Sequence, residues 1–337
     1  MKQRNINLDV VRIFAAFMVL SVHIGQHIGK DFGIGEKGVQ LFFILSGYLA
    51  FASLHKTESA VMYYRKRLIR ILPTYYFCLL LVYLKDIVIA IQDGTIHEVF
   101  VGQCGIKFLR YVFFIQCFTP SDNWNLWNNH NNLWTMSSFV GFYVIAPFVY
   151  KCIKNTYMGI AVVFLLMFSR PWLIWAIRYA FADYPVESHI EWFSSMNLIA
   201  EIYCFMLGAV LYVSKIEHRQ YIYITIMTIA LIVSSLKWYS YEINFLQFIA
   251  LSVITENITN NERIKTVITW LSSGSFTLYL VHPLVLSVER RLWNNLEILN
   301  ESLHGIFLYT SCIVVSYFLY YGIISKIEKK IEVNVKT

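Results

Sequence analysis

The stretch that decides the fold is LDVVRIFAAFMVLSVHIGQHIG, from Leu8 to Gly29. It is long enough to cross a hydrocarbon core about 30 Å thick, yet it keeps Arg12 and His23. An ionisable residue at membrane depth is by default a candidate functional residue. The two residues are eleven positions apart, so on a helix they share one face, about 16 Å apart along the axis. Arg12 alone is also explained as an interfacial anchor that snorkels to water, but His23 is not.

The composition of the whole chain extends this conclusion. Of 337 residues, 57% are hydrophobic and 15% are charged, and the mean hydropathy is +0.53, whereas soluble domains carry about 25% charged residues. Apolar runs near the spanning length occur at 10–29, 38–54, 74–92, 133–150, 157–182, 195–213, 221–236, 243–256, 267–288 and 303–325. We therefore predict an all-α polytopic membrane protein with about ten transmembrane helices, forming one domain over residues 1–337 with no separate soluble domain.

The distribution of lysine and arginine predicts the orientation. With the N-terminus inside, the inner connections hold 17 of these residues and the outer connections hold seven. The positive-inside rule then places both termini in the cytoplasm. Two segments need separate treatment: 105–118 is short and reads as interfacial or re-entrant, and Arg170-Pro171 could break 157–182 into two helices. The net charge of +7 follows from the same asymmetry, so we expect a lipid bilayer and no nucleic acid as a partner.

The six cysteines do not indicate a metal site. They include no CxxC pair and no Cys/His spacing typical of metal ligands, so we expect no metal. Cys104 and Cys117 share a predicted outer segment and could form a disulfide in an oxidising compartment. The other cysteines read as small apolar helix residues.

Four local patterns make the chain resemble a known family. They are L-D-x-x-R-x10-H from Leu8 to His23, GVQLFFILSGYL from Gly38 to Leu49, YYRKRLIRILPTYY from Tyr63 to Tyr76, and SFTLYLVHP from Ser275 to Pro283. In this order and spacing they resemble membrane-bound acyltransferase family 3, most of whose members O-acetylate carbohydrates of the cell envelope or secreted carbohydrates. The resemblance covers the chain from end to end.

The resemblance implies a ten-helix membrane enzyme, in the cytoplasmic (inner) membrane of a bacterium. Such an enzyme takes an acyl group, usually acetyl, from coenzyme A on the cytoplasmic side and delivers it to an acceptor on the far side. Arg12 and His23 match the essential pair of the family. Many relatives have a histidine before the Leu-Trp pair and acidic residues after it, but here Asn132 precedes that pair and Phe139 and Val140 follow it. These departures concern which acceptor is used more than how the acyl group is transferred.

The histidines supply the chemistry that acyl transfer to a hydroxyl requires. A sugar hydroxyl is a poor acid, and an imidazole with an ordinary pKa of about 6.5 is a suitable base. His23 is our candidate for that base, or for a nucleophile that carries the acyl group. His282 reaches a similar depth and either orients the acceptor or His23, or is a buried histidine satisfied by a neighbour. Asp9 can pair with Arg12 one turn away, and that pair could be purely structural.

The basic run supplies candidate ligands for the acyl donor. Arg65, Arg67 and Arg70 lie in a predicted cytoplasmic connection, and guanidinium groups bind the phosphates of coenzyme A in bidentate fashion. Acetyl-coenzyme A is therefore the expected donor. The competing explanation is that the run is only a stop-transfer signal that contacts anionic lipid.

A different class of protein fits part of the pattern. A flippase or carrier for a lipid-linked sugar would also have about ten spans and buried charges, here Lys85, Asp86 and Glu201. Transporters, however, often have paired broken helices in corresponding halves, and only Arg170-Pro171 stands out here. The expected acceptor is a carbohydrate or glycolipid, and the oligomeric state is left open.

Overall fold

The computed structural model describes residues 5–30, 35–57, 59–96, 106–116, 131–184, 187–238, 261–293 and 301–334. Within these ranges the chain is helical and contains no strand. The helices are α1 (Ile6–His27), α2 (Gly35–His55), α3 (Ala60–Asp93), α4 (Ile106–Val112), α5 (Trp134–Cys152), α6 (Thr156–Ala180), α7 (Glu187–Ser195), α8 (Leu198–Ile216), α9 (Gln220–Trp238), α10 (Glu262–Trp293), α11 (Glu301–Leu319) and α12 (Ser325–Asn334). A 3₁₀ turn, Asn131–Leu133, precedes α5, and a π-helical turn, Tyr320–Ile324, joins α11 to α12.

The predicted class, an all-α polytopic membrane protein, is confirmed. Among the described residues, seven helical segments are long and apolar enough to cross a membrane, and they correspond to α1, α2, α3, α6, α8, α10 and α11. The predicted spans at 133–150 and 221–236 correspond to α5 and α9. Helix α5 is less apolar than these seven segments, and α9 is also an apolar helix. The predicted span at 243–256 and the cysteines 104 and 117 lie outside the described residues. The count of ten and the cytoplasmic termini stay predictions.

The structure decides between the alternatives for the two ambiguous segments. Helix α4 has seven residues, which extend only about 10 Å, so this part of 105–118 does not cross the membrane as a helix. Helix α6 continues through Arg170 and Pro171 for 25 residues, so the proline does not divide it. Proline is tolerated inside membrane helices because neighbouring groups satisfy the backbone carbonyl that it leaves free.

Asparagine and serine side chains set where several helices begin. Asn5 accepts hydrogen bonds from two backbone amides at the start of α1, and Ser59, Asn155 and Asn197 cap α3, α6 and α8 in the same way. Such caps satisfy amide groups that have no partner within the helix. They fix the register of each helix, and therefore the height at which its polar side chains sit in the membrane.

Two glycines bring α2 and α8 into close contact. A Cβ atom on Gly47 would overlap the carbonyl oxygen of Phe205, and one on Gly208 would overlap that of Ile44. Small residues at helix crossings are the usual means of close packing in membranes. Helix α2 also packs on α1, and α1 packs on α10. The order α8, α2, α1, α10 positions the polar residues described below.

The α2–α8 crossing gives a first prediction. We expect Gly208→Ala to destabilise the protein by about 3 kcal/mol or more, because the new methyl group meets backbone rather than a side chain that can move. The matched control is Gly322→Ala, because no described atom lies within 4 Å of a Cβ at that position. Thermal unfolding of the purified variants in detergent measures both effects. Equal stability of the two variants would contradict the close contact.

Candidate active site

His23 and His282 face each other across the contact between α1 and α10. Their ring centroids are 5.0 Å apart. The sequence placed the two residues at similar depth, and the structure brings them together. His282 is fully buried, and His23 is partly exposed. His27 lies one turn further along α1 and is partly exposed.

The backbone of α10 determines which nitrogen of His282 carries a proton. Its Nδ1 lies 3.0 Å from the carbonyl oxygen of Leu278. A carbonyl oxygen can only accept a hydrogen bond, so Nδ1 is the protonated nitrogen of the neutral ring. In that tautomer Nε2 carries the lone pair. His282 can therefore accept a proton or a hydrogen bond through Nε2.

A cavity of about 160 Å³ lies beside His23. This space is large enough for several water molecules or a small organic group. Valine, methionine and tryptophan side chains form part of its wall. Its polar lining consists of His23, Gln26, Gln40, Asn132, Glu201 and Tyr279. An apolar wall with a few convergent polar groups is the usual character of a small-molecule site.

All helix ends around this cavity belong to the same side of the bundle. The lining residues come from the last part of α1, from the beginnings of α2 and α8, from the turn that leads into α5, and from α10, which contributes Tyr279. The lysine and arginine distribution predicts that this side is the outer one. His23 therefore lies toward the predicted outer surface of the membrane domain.

A buried polar network forms one wall of the cavity. The Nε2 of Gln40 donates to the Glu201 carboxylate and to the Tyr203 hydroxyl, each at 3.2 Å. Arg170 pairs with the other oxygen of Glu201 at 3.1 Å and donates to the Ala200 carbonyl. The arginine thereby compensates a carboxylate that is only 3% exposed. Burying that charge without a partner would cost several kcal/mol.

Arg12 belongs to a separate network at the opposite end of the bundle. Its guanidinium pairs with Asp9 at 3.0 Å and donates to Ser272 at 3.1 Å, and Ser272 donates to Asp9 at 2.6 Å. This closed set links α1 to α10. Because Arg12 and His23 are about 16 Å apart along α1, they cannot both contact one small acyl group. The structure confirms the Asp9–Arg12 pairing and leaves the role of Arg12 in catalysis as a prediction.

The three arginines of the basic run do not form a single patch. At about 100° per residue, Arg65 and Arg67 project from nearly opposite faces of α3. Arg67 donates to the carbonyl of Leu49, and its guanidinium lies over the rings of Tyr63 and Tyr143 at 5.5 Å and 5.2 Å. Arg67 is thus engaged in helix packing. Arg70 is exposed at the surface of α3.

An aromatic cluster surrounds Phe139, one of the two residues that depart from the pattern of the resembled family. Phe139 lies 5.0 Å from Phe43 and 5.8 Å from Phe205, measured between ring centroids. Phe142 stacks on Phe205 at 4.4 Å. The cluster joins α2, α5 and α8 through apolar contacts.

Sequence reasoning missed Gln40, Asn132 and Tyr279 as residues of the site. Glu201 was noted as a buried charge that a carrier would have, and Arg170 as part of a possible helix break. One signal was available, because two opposite charges inside apolar segments must find partners. No comparable signal identified the amides and the tyrosine.

Comparison with known proteins identifies the family. The model of a family described as an acyltransferase domain matches residues 5–321. The chain belongs to acyltransferase family 3. The chain is also 24% identical over 223 residues to Nodulation protein 10 of Rhizobium leguminosarum bv. viciae, a match that covers 58% of this chain and 59% of that relative. The chain thus spans about three fifths of the curated relative's length. No solved structure matches the chain.

The family is the one that the sequence motifs indicated. The chain carries an acyltransferase domain of this family, and its helices place it in a lipid bilayer. The acyltransferase domain covers the elements that carry both networks and the cavity. The chemistry of acyl transfer is therefore to be sought among these residues.

Proposed function

We propose that this acyltransferase transfers an acyl group, most simply acetyl, from acyl-coenzyme A to a hydroxyl of a cell-surface or envelope carbohydrate. The membrane is the cytoplasmic (inner) membrane of a bacterium. The observation that carries the proposal is the cavity beside His23, because an imidazole there adjoins amide and carboxylate groups suited to hydroxyl-rich molecules. Arg12 and the basic run lie toward the other side of the bundle. The two ends of the helix bundle therefore suit an acyl donor on one side of the membrane and an acceptor on the other.

His23 acts in this proposal on the acceptor hydroxyl. Its lone pair takes the hydroxyl proton as the oxygen attacks the thioester carbonyl carbon. A carbon–oxygen bond forms, the carbon–sulfur bond breaks, and the proton passes from the imidazole to the departing thiolate. The products are the ester and coenzyme A. In the alternative route, His23 first accepts the acyl group and then yields it to the hydroxyl.

His282 assists by holding or relaying a proton beside His23. Because Nδ1 donates to the Leu278 carbonyl, Nε2 is the nitrogen that can act on a neighbour. The ring separation of 5.0 Å allows the charge on one imidazole to influence the other. Gln26 lines the cavity beside His23.

The donor end relies on the arginines. Coenzyme A carries a pyrophosphate and a separate ribose phosphate, so ligands on different faces of α3 can serve different phosphates. We propose Arg65 and Arg70 as direct ligands. Arg67 contributes by placing α3, because its guanidinium already contacts Leu49, Tyr63 and Tyr143. Arg12, fixed by Asp9 and Ser272, completes the positive field at this end.

This assignment of the arginines predicts a specific loss of donor affinity. The double variant Arg65→Lys, Arg70→Lys keeps the charges that set the topology but loses both bidentate forks. We expect its affinity for acetyl-coenzyme A to fall roughly tenfold or more. Calorimetric titration of the purified protein measures the change, and Arg263→Lys, the same substitution at an exposed position of α10, is the control. Unchanged affinity in the double variant would leave the run as a topological signal.

One experiment tests the function as a whole. The purified protein, reconstituted in liposomes, is given acetyl-coenzyme A labelled with ¹³C together with envelope glycans from a deletion strain. We expect release of the thiol and transfer of labelled acetyl to a glycan hydroxyl, detected by mass spectrometry. A lipid-linked sugar flippase would move the glycan without releasing the thiol, and that result would overturn the proposal.

A further inference from the structure

Asn132 has a buried amide oxygen that no described residue satisfies. The residue is 4% exposed, and its Nδ2 donates to the carbonyl of Tyr279 at 2.7 Å. Its Oδ1 has no hydrogen-bond partner among the described residues. A buried acceptor without a partner is unfavourable. This arrangement is expected where a ligand supplies the missing donor.

The position of Asn132 indicates which ligand that is. Asn132 lines the same cavity as His23. Its amide is held in one orientation, because the Tyr279 carbonyl can only accept and therefore selects the nitrogen. Oδ1 of Asn132 is therefore the atom that can accept a hydrogen bond, and a hydroxyl group can donate one. Trp134, two residues later, adds an apolar surface to the same cavity.

The charges around the cavity exclude an anionic ligand. Its one carboxylate belongs to Glu201, which is paired with Arg170, and among the described residues no lysine or arginine lines the cavity. A second carboxylate brought by a ligand would be desolvated without a cation to compensate it. An uncharged ring with hydroxyl groups meets no such cost.

We propose that this cavity is the acceptor subsite, and that it takes an uncharged, hydroxyl-bearing sugar ring, one hydroxyl of which donates to Oδ1 of Asn132. The inference rests on the proposed function for its biological meaning, but binding at the cavity is a separate property. Uronic acids and other anionic sugars are excluded as the residue that enters. Asn132 acts as a specificity-determining residue, and His23 meets the same ring.

Binding measured without acetyl-coenzyme A tests the subsite. The probes are the methyl glycosides of glucose, galactose and mannose, the methyl glycosides of glucuronic and galacturonic acid, and 2-methoxytetrahydropyran, which has the ring but no hydroxyls. Saturation-transfer NMR titrations on the protein in nanodiscs give the affinities. We expect at least one neutral glycoside to bind about tenfold or more tightly than its uronic acid counterpart and than the bare ring.

Substitutions locate the effect at Asn132. Asn132→Leu should weaken binding of the neutral glycoside about threefold to tenfold. Gln116→Leu is the matched control, because Gln116 is a buried amide that donates to the Leu133 carbonyl and has an unsatisfied Oε1, yet does not line the cavity.

The outcomes separate this inference from the function. Equal affinity in the wild type and Asn132→Leu, tight binding of uronic acids, or no binding of any neutral glycoside would each overturn the subsite. Selective glycoside binding without acyl transfer from coenzyme A would keep the subsite and overturn the proposed function. Acyl transfer that is unaffected by Asn132→Leu would keep the proposed function and overturn the subsite.

Discussion

His23→Ala is expected to reduce acyl transfer by a factor of about 10² to 10⁴, the range that a positioned general base contributes. The loss would be greater if His23 carries the acyl group, because a covalent route then disappears. No other histidine lines the cavity among the described residues. His282 is fully buried and uses Nδ1 on the backbone of α10, so it cannot simply take over.

The measurement is acetylation of envelope glycans by mass spectrometry, with insertion and folding of the variant checked by thermal unfolding. His27→Ala is the matched control, since His27 lies on the same helix one turn away and does not line the cavity. We expect His27→Ala to remain close to wild type. Near-normal glycan acetylation in the double variant His23→Ala, His27→Ala would contradict the assignment.

The two possible roles of His23 differ in what happens without an acceptor. A carrier histidine releases one equivalent of coenzyme A per protein in a rapid burst, because the acyl group can move onto the imidazole. A general base gives no burst, because the attacking hydroxyl is absent. Whichever role His23 has, we expect His282→Ala to alter the pH profile of acyl transfer, because His282 acts through His23.

The parts of the site that lie on one helix could be predicted from the sequence. The spacing of Arg12 and His23 follows from the geometry of a single helix, and so does the pairing of Arg12 with Asp9. The apolar runs predicted most helices because spanning length is imposed by the bilayer. The depth of His282 followed from counting along its own span, and the structure places its ring 5.0 Å from that of His23.

Contacts between helices could not be predicted in this way. Gln40 and Glu201 are 161 positions apart, and they meet because Gly47 and Gly208 allow α2 and α8 to approach backbone to backbone. Nothing in a single sequence states which helices are neighbours. Asn132 was noticed only as a departure from relatives. Its role depends on the carbonyl of Tyr279, 147 positions away.

For the basic run, the sequence suggested one phosphate site made of three arginines, whereas the structure separates them. Three arginines within six residues read as one phosphate site, but alternate positions on a helix project from opposite faces. Arg67 serves the packing of α2, α3 and α5 through Leu49, Tyr63 and Tyr143. Only the neighbouring helices reveal which arginine is already engaged.

The second large effect concerns the ion pair of Arg170 and Glu201. We expect Arg170→Leu to lower the free energy of unfolding by about 3 to 5 kcal/mol, because it leaves a buried carboxylate without its cation. Glu201→Leu should be destabilising for the converse reason, and it also removes the acceptor that holds Gln40. Lys265→Leu is the control, because Lys265 pairs with a Glu262 that is 83% exposed. Surface pairs of this kind contribute about 0 to 1 kcal/mol.

The double variant Arg170→Leu, Glu201→Leu separates stability from activity. Removing both charges leaves neither member of this pair as an uncompensated ion, so the unfolding free energy should return toward the wild-type value. Acyl transfer should stay low, because Gln40 then loses one of its two acceptors at the cavity wall. Thermal unfolding and glycan acetylation, measured on all three variants, decide the matter. If the double variant is as unstable as the two single losses added together, the charges do not compensate each other; if it is stable and fully active, the network holds the fold but does not shape the acceptor site.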